Sequence, residues 1–277
     1  MKNLLLLLFV MAHTCAFGQK KPKHVILIGI DGLGAYAFPR AELSAFNMDS
    51  LAWAKTGNPA LKLHIPTFEK LTESGAYSLQ ARSVLPSSSA VNWTSMTMGA
   101  GPELHGYTEW GSQTPELPSR LTDEFGLFPS IFGLMRQQKP KSEIGVIYEW
   151  DGIGFLLPKK ALSTEINCQR DSATAQTASK YIIEKRPELL FLHFSDVDHV
   201  GREFGNGTAQ YYQQVDKMDR YLAQIMGAVS KSGKADDTVV IISADHGGIN
   251  KGHGGKTMQE MRIPWIAVGK AVKYKEK

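Results

Sequence analysis

Apolar runs without polar alternation stand out first along the chain. The segment His24 to Ile30 reads His-Val-Ile-Leu-Ile-Gly-Ile, rich in β-branched residues. That is the pattern of a strand covered on both faces of a parallel sheet. Leu189 to Phe194 and Thr238 to Ser243 repeat it, with shorter strands expected at Ile144 to Tyr148 and at 263–268. Residues 77–85 form a further β-like run, which ends at Pro86-Ser87-Ser88-Ser89 and passes into a helix. Helical spacing predicts other helices over 66–74 and 172–185. A long one, capped by Thr208 and reaching about residue 230, places Tyr211, Val215, Met218, Leu222 and Ile225 on one core-facing stripe. Residues 40–66 look like an inserted surface excursion, and 99–118 like a loop with exposed aromatics. The alternation of strands and helices predicts an α/β fold, a three-layer sandwich with a mostly parallel central sheet. No internal repeat or linker divides residues 19–277, so a single domain is expected.

Residues 1–18 change the picture of where the chain acts. Lys2, an apolar run from Leu4 to Met11 and a small-residue site at Ala16-Phe17-Gly18 form a signal peptide, with cleavage before Gln19. The run is too short to span a bilayer. Cleavage leaves Cys168 as the single cysteine, so no internal disulfide can form. Secretion without disulfides points to a bacterial periplasm. A composition of 43% hydrophobic and 21% charged residues is that of an ordinary globular protein. The net charge of +4 comes largely from lysines near the two ends, so no nucleic-acid partner is inferred. Oligomeric state is not legible.

The chemistry gathers at strand ends. Buried-type strands run into Asp31, Asp198 and Asp245. His246 follows the last, and His253 stands in the glycine-rich loop Lys251-Gly252-His253-Gly254-Gly255. Open α/β sheets place ligands at these carboxyl ends. Each acid alone reads as a turn residue, and Ser-Ser-Ser before a helix reads as an N-cap. Together the carboxylates and imidazoles are the donor set of a catalytic zinc site, beside which a serine on a helix N-terminus suits attack on phosphorus or a carbonyl. The run Gly254-Gly255-Lys256-Thr257 fails as a P-loop, because Asn250 occupies the place of the first glycine. No Gly-x-Ser-x-Gly elbow surrounds Ser89, which argues against a carboxyl-ester hydrolase.

These motifs resemble the alkaline phosphatase superfamily, in particular its type I phosphodiesterase and nucleotide pyrophosphatase branch. The resemblance rests on Ile30-Asp31-Gly32, Pro86-Ser87-Ser88-Ser89 with Asn92, the Asp198 segment, Ser243-Ala244-Asp245-His246-Gly247 and His253, and runs from His24 to about Gly269. It implies an alkaline-phosphatase-like fold and Ser89 as nucleophile, with Asn92 on a phosphate oxygen. It also implies two zinc ions, one on Asp31, Ser89, Asp245 and His246, the other on Asp198, His253 and one more histidine. Here the chain departs from the pattern. Asp198-His199-Val200-Gly201-Arg202 has an arginine where that histidine belongs, and arginine cannot bind zinc. A weakened second site is the favoured reading, with His199 as a possible replacement ligand. Phosphate contact by Arg202, or impaired catalysis, are the other readings. Relatives also continue past the last strand, so the domain is expected to be short at its C-terminal edge. The activity implied is hydrolysis of phosphate esters, phosphodiester or nucleotide pyrophosphate bonds, through a phosphoserine on Ser89. A phosphomonoesterase and a non-catalytic phosphate- or nucleotide-binding homologue are the alternatives.

Overall fold

The computed structural model describes residues 21–46, 63–273 and 275–276. The expected signal peptide, and residues 47–62 of the expected surface excursion, lie outside the described residues. The strands are β1 (His24–Ile30), β2 (Ala76–Arg82), β3 (Ile144–Tyr148), β4 (Thr164–Asn167), β5 (Leu189–Phe194), β6 (Thr238–Ser243), β7 (Arg262–Val268) and β8 (Lys275–Glu276). The α-helices are α1 (Pro66–Ser74), α2 (Ser89–Met98), α3 (Pro102–His105), α4 (Ile131–Gln138), α5 (Asp171–Lys185), α6 (Asp196–Phe204), α7 (Ala209–Lys231) and α8 (Met258–Met261).

The strands form one sheet in the order β4-β3-β5-β1-β6-β7-β2-β8. β1 lies at its centre, parallel to β5 and β6, and β3 is parallel to β4 and β5. Only β7 runs antiparallel to its neighbours, β6 and β2, so the mostly parallel sheet is as expected. Side chains alternate across β1 because a strand has a period of two. Ile26, Ile28 and Ile30 enter the core beneath α5 and α7, with Ala178, Ile182, Val215 and Leu222. Leu27 enters the opposite core with Trp93 of α2, Phe132 of α4 and Phe191. Helices therefore cover both faces, giving the three layers.

Gly29 lets α2 come this close. A Cβ there would lie 2.3 Å from Cζ3 of Trp93, so the indole packs directly on the strand backbone. The expected strand over 77–85 stops at Arg82, after a register shift between Ser78 and Ala81 and ahead of the Pro86 turn. Helix α6 is the main element that the sequence pattern did not announce. Its nine residues carry Gly201 and four charged side chains, but Asp196 and Asp198 stand in its first turn, where the helix dipole favours acids.

Candidate active site

Three segments meet at the carboxyl edge of the sheet. β1 delivers Asp31 and β6 delivers Asp245 and His246; the pairing of Gly29 with Ser243 brings the two strand ends level. Asp198 comes not from a strand end, as the sequence suggested, but from the first turn of α6. Gly32 makes the approach possible. Its φ is +71°, and a Cβ would stand 2.8 Å from the Cα of Asp198. Its N–H donates to Asp245 Oδ1 at 3.2 Å. Tyr211, expected only as core, donates from its hydroxyl to the Gly32 carbonyl at 2.9 Å and accepts from the Gly34 N–H at 3.1 Å, fixing this turn. Asp171, buried at the start of α5, accepts from the N–H groups of Ser195 and Asp196 and holds the entry to α6.

His246 is the convergence point. Its Nδ1 faces the Gly247 carbonyl at 2.7 Å, so that nitrogen carries a hydrogen and Nε2 is turned inward. Around Nε2 stand Ser89 Oγ at 3.2 Å, Asp245 Oδ2 at 3.2 Å and Asp31 Oδ1 at 3.4 Å. The two carboxylate oxygens are buried and have no hydrogen bond. Buried acceptors gathered without donors call for a cation. Ligand atoms of Asp31, Asp245 and His246 all lie within 4.8 Å of one another, and this donor set fits a divalent metal such as zinc. The outer oxygen of Asp31, Oδ2, is held by Trp93 Nε1–H at 3.2 Å and His193 Nε2 at 3.3 Å, as supporting groups orient metal-binding carboxylates. Burial opposes the charge of Asp31, but the His193 hydrogen bond, His246 and Trp93 outweigh it, and the carboxyl sits well below the usual range. Asp245 is pushed well above that range by burial and by the charges of Asp31 and Asp198.

The second group is thinner. His253 donates from Nδ1 to the Ser87 carbonyl at 3.3 Å and turns Nε2 toward Asp198 Oδ1 at 3.8 Å. Its ring stacks on His246 with centroids 3.8 Å apart, and burial and the His246 charge hold its pKa down at about 4. Asp198 is raised to about 6 by burial and by Asp31. Among the described residues these two form a three-ligand group only by sharing His246. Its Nδ1 is committed to Gly247, and its Nε2 already faces the first group. Arg202 stands at the third position, with Nε 3.4 Å from Asp198 Oδ2. His199 is exposed and lines a cavity with Asp31, Ser89, Asp198 and Arg202, but joins neither group.

The structure gives Asn92 another task than the phosphate contact expected of it. Its Oδ1 accepts from the Val84 N–H at 2.7 Å, and Nδ2 donates to the carbonyls of Pro86 and Ser88, each at 3.0 Å. Those bonds occupy its amide in closing the serine turn on which Ser89 sits. Trp93 and Tyr107 are buried in the core. Trp110 and Trp150 do line the cavity over Asp31 and Ser89, with ring centroids 6.1 Å apart. The sequence reading missed His193, whose signal was an imidazole inside the otherwise apolar run Leu189 to Phe194.

A central mostly parallel sheet with Ser89 and three buried acids gathered at its carboxyl edge places this chain among alkaline-phosphatase-like proteins. Solved structures agree on the fold. A protein in the alkaline phosphatase superfamily from Vibrio parahaemolyticus superposes with a TM-score of 0.60 at 16% identity, over 93% of this chain and 62% of that one. Murine ectonucleotide pyrophosphatase/phosphodiesterase 5 does so with a TM-score of 0.58 at 14% identity, over 81% of this chain and 57% of that one. Residues 25–124 and 145–252 match the type I phosphodiesterase/nucleotide pyrophosphatase family, and the chain belongs to it. Among curated proteins it is similar to GPI ethanolamine phosphate transferase 3 of Schizosaccharomyces pombe, 32% identical over 98 residues, which are 35% of this chain and 10% of that protein. The corresponding transferase 1 of Saccharomyces cerevisiae is 29% identical over 99 residues, 35% of this chain and 11% of that protein. The chain thus spans about a tenth of the length of these relatives. They also correct one expectation. The matched curated proteins are fungal GPI ethanolamine phosphate transferases, not bacterial periplasmic proteins, and the absence of disulfides does not assign a bacterial periplasm. No helix among the described residues is long and apolar enough to cross a membrane.

Proposed function

We propose that this chain cleaves phosphate esters, phosphodiester or nucleotide pyrophosphate bonds, through a phosphoserine on Ser89. The observation that carries this reading is the convergence of Ser89 Oγ and two hydrogen-bond-free carboxylate oxygens on His246 Nε2. Asp31, Asp245 and His246, with Ser89 as fourth ligand, would hold a zinc ion. When bound, zinc supplies the positive charge that lowers the pKa of the serine hydroxyl. Ser89 then attacks phosphorus, the bond from phosphorus to the leaving oxygen breaks, and that oxygen takes up a proton. Water attacks the phosphoserine in turn and returns the serine. Asn92 acts on the reaction through the turn it closes, setting the direction of Ser89. A Ser-His-Asp acyl-transfer triad is disfavoured, because the carboxylates meet the inner nitrogen of His246 and its outer nitrogen bonds a carbonyl.

The AMP complex of murine ectonucleotide pyrophosphatase/phosphodiesterase 5 supports a nucleotide as one substrate class. The likeness to ethanolamine phosphate transferases supports a second outcome, in which an alcohol rather than water receives the phosphoryl group. Turnover of a bis-aryl phosphate diester tests the reading. Ser89→Ala should lower kcat by roughly a thousandfold or more. Retained turnover in that variant would reject Ser89 as the nucleophile. A higher rate on an aryl monoester than on the diester would favour the phosphomonoesterase alternative.

A further inference from the structure

We infer that Arg202 supplies in this chain the positive charge of a second metal, so that the site works with one divalent ion and a fixed guanidinium. The inference rests on the metal-assisted reading proposed above. Among the described residues Asp198 and His253 have no third ligand of their own, and zinc sites with fewer than three protein ligands are rare. Arg202 lies one turn after Asp198 on α6, with its Nε 3.4 Å from Asp198 Oδ2. A guanidinium does not deprotonate in a protein, so it repels a metal ion from the place it occupies.

Two contacts hold it. The carboxylate of Asp198 faces Nε, and the ring of Trp110 lies 5.6 Å beneath Cζ. Trp110 is itself tied to the helix bearing the nucleophile, since its carbonyl accepts from the Ala90 N–H at 3.1 Å. The ion pair uses Nε, which leaves the terminal amino groups free to meet an anion as a fork. Arg202 lines both the cavity over Asp31 and Ser89 and the outer one beside Ser88 and His253. A phosphoryl group on Ser89 would lie within that space.

Asp31, Asp198 and Asp245 bring three negative charges when ionised, which one zinc and one guanidinium balance.

Zinc per chain, measured by elemental analysis after reconstitution and exhaustive dialysis, tests this directly. The wild type should retain one zinc and Arg202→His two. Two in the wild type would overturn this inference alone. One in a folded Arg202→His, checked by circular dichroism and Tm, would overturn Arg202 as the excluding group. None in either protein would overturn the metal-assisted reading with it. Arg202→Met should keep the single zinc and weaken inhibition by inorganic phosphate about tenfold or more. Unchanged phosphate inhibition in that variant would overturn the anion-binding role.

Discussion

Ser89 occupies the first position of a ten-residue helix, and its setting matters as much as its hydroxyl. The Asn92 amide fixes the turn before it, while His246 stands 3.2 Å from its Oγ. The neighbouring Asp31, proposed as a metal ligand, is just as constrained. Trp93 and His193 hold one of its oxygens, which frees the other to face the imidazole. Trp93→Phe keeps the ring on Gly29 and removes one donor to Asp31. Zinc affinity is then expected to fall roughly tenfold to a hundredfold while the circular dichroism spectrum stays unchanged. Equal zinc affinity by competition with a chelating dye would show that the indole N–H does not tune the site.

Elements carry these residues to one place, and some of them are short. Helix α3 holds His105 fully buried, with Nδ1 accepting from the Tyr107 N–H at 3.1 Å and Nε2 meeting Ser95 Oγ at 2.9 Å. Burial, against a smaller opposing effect of Glu103, lowers its pKa from 6.5 to about 4. The unfolded chain therefore takes up this proton first as the pH falls. Stability from His105 is intact above pH 6.5 and is lost as the pH drops toward about 4. His105→Asn keeps an acceptor for Tyr107 and cannot take up the proton, so its Tm should decline less than that of the wild type across this interval. Parallel Tm curves would contradict the assignment. Legibility also varied by element. β1, β5 and β6 announced themselves because strands buried on both faces are almost wholly apolar, and α7 because its stripe is long. β4 is too short, and α4 too short and too exposed, to carry a periodic signal. α6 was hidden because Asp198, His199 and Arg202 read as a ligand motif before they read as a helix. The clustering of Asp31, Asp198, Asp245, His246 and His253 was legible, since acids after buried strands converge at one sheet edge. The task of Asn92 was not, because its partners are backbone groups that no residue identity reveals.

The whole molecule is an α/β/α sandwich that gathers three buried carboxylates at the carboxyl edge of its sheet, two after central strands and one from the first turn of α6, where they repel one another. Folding without a counter-cation leaves that repulsion in place, so zinc should stabilise the native state by mass action. Chelation is expected to lower Tm by several degrees, and zinc to restore it; a Tm indifferent to both would remove the metal from the account. Family membership fixes the fold and the general chemistry of this edge. The proposed reaction passes through one intermediate, a phosphoserine on Ser89. The most direct measurement is mass spectrometry of protein quenched in acid during turnover of a phosphodiester, with the phosphorylated peptide sequenced. The account predicts a phosphoryl adduct on Ser89, absent from Ser89→Ala. An adduct on another residue, or turnover with no adduct and full activity in Ser89→Ala, would contradict it.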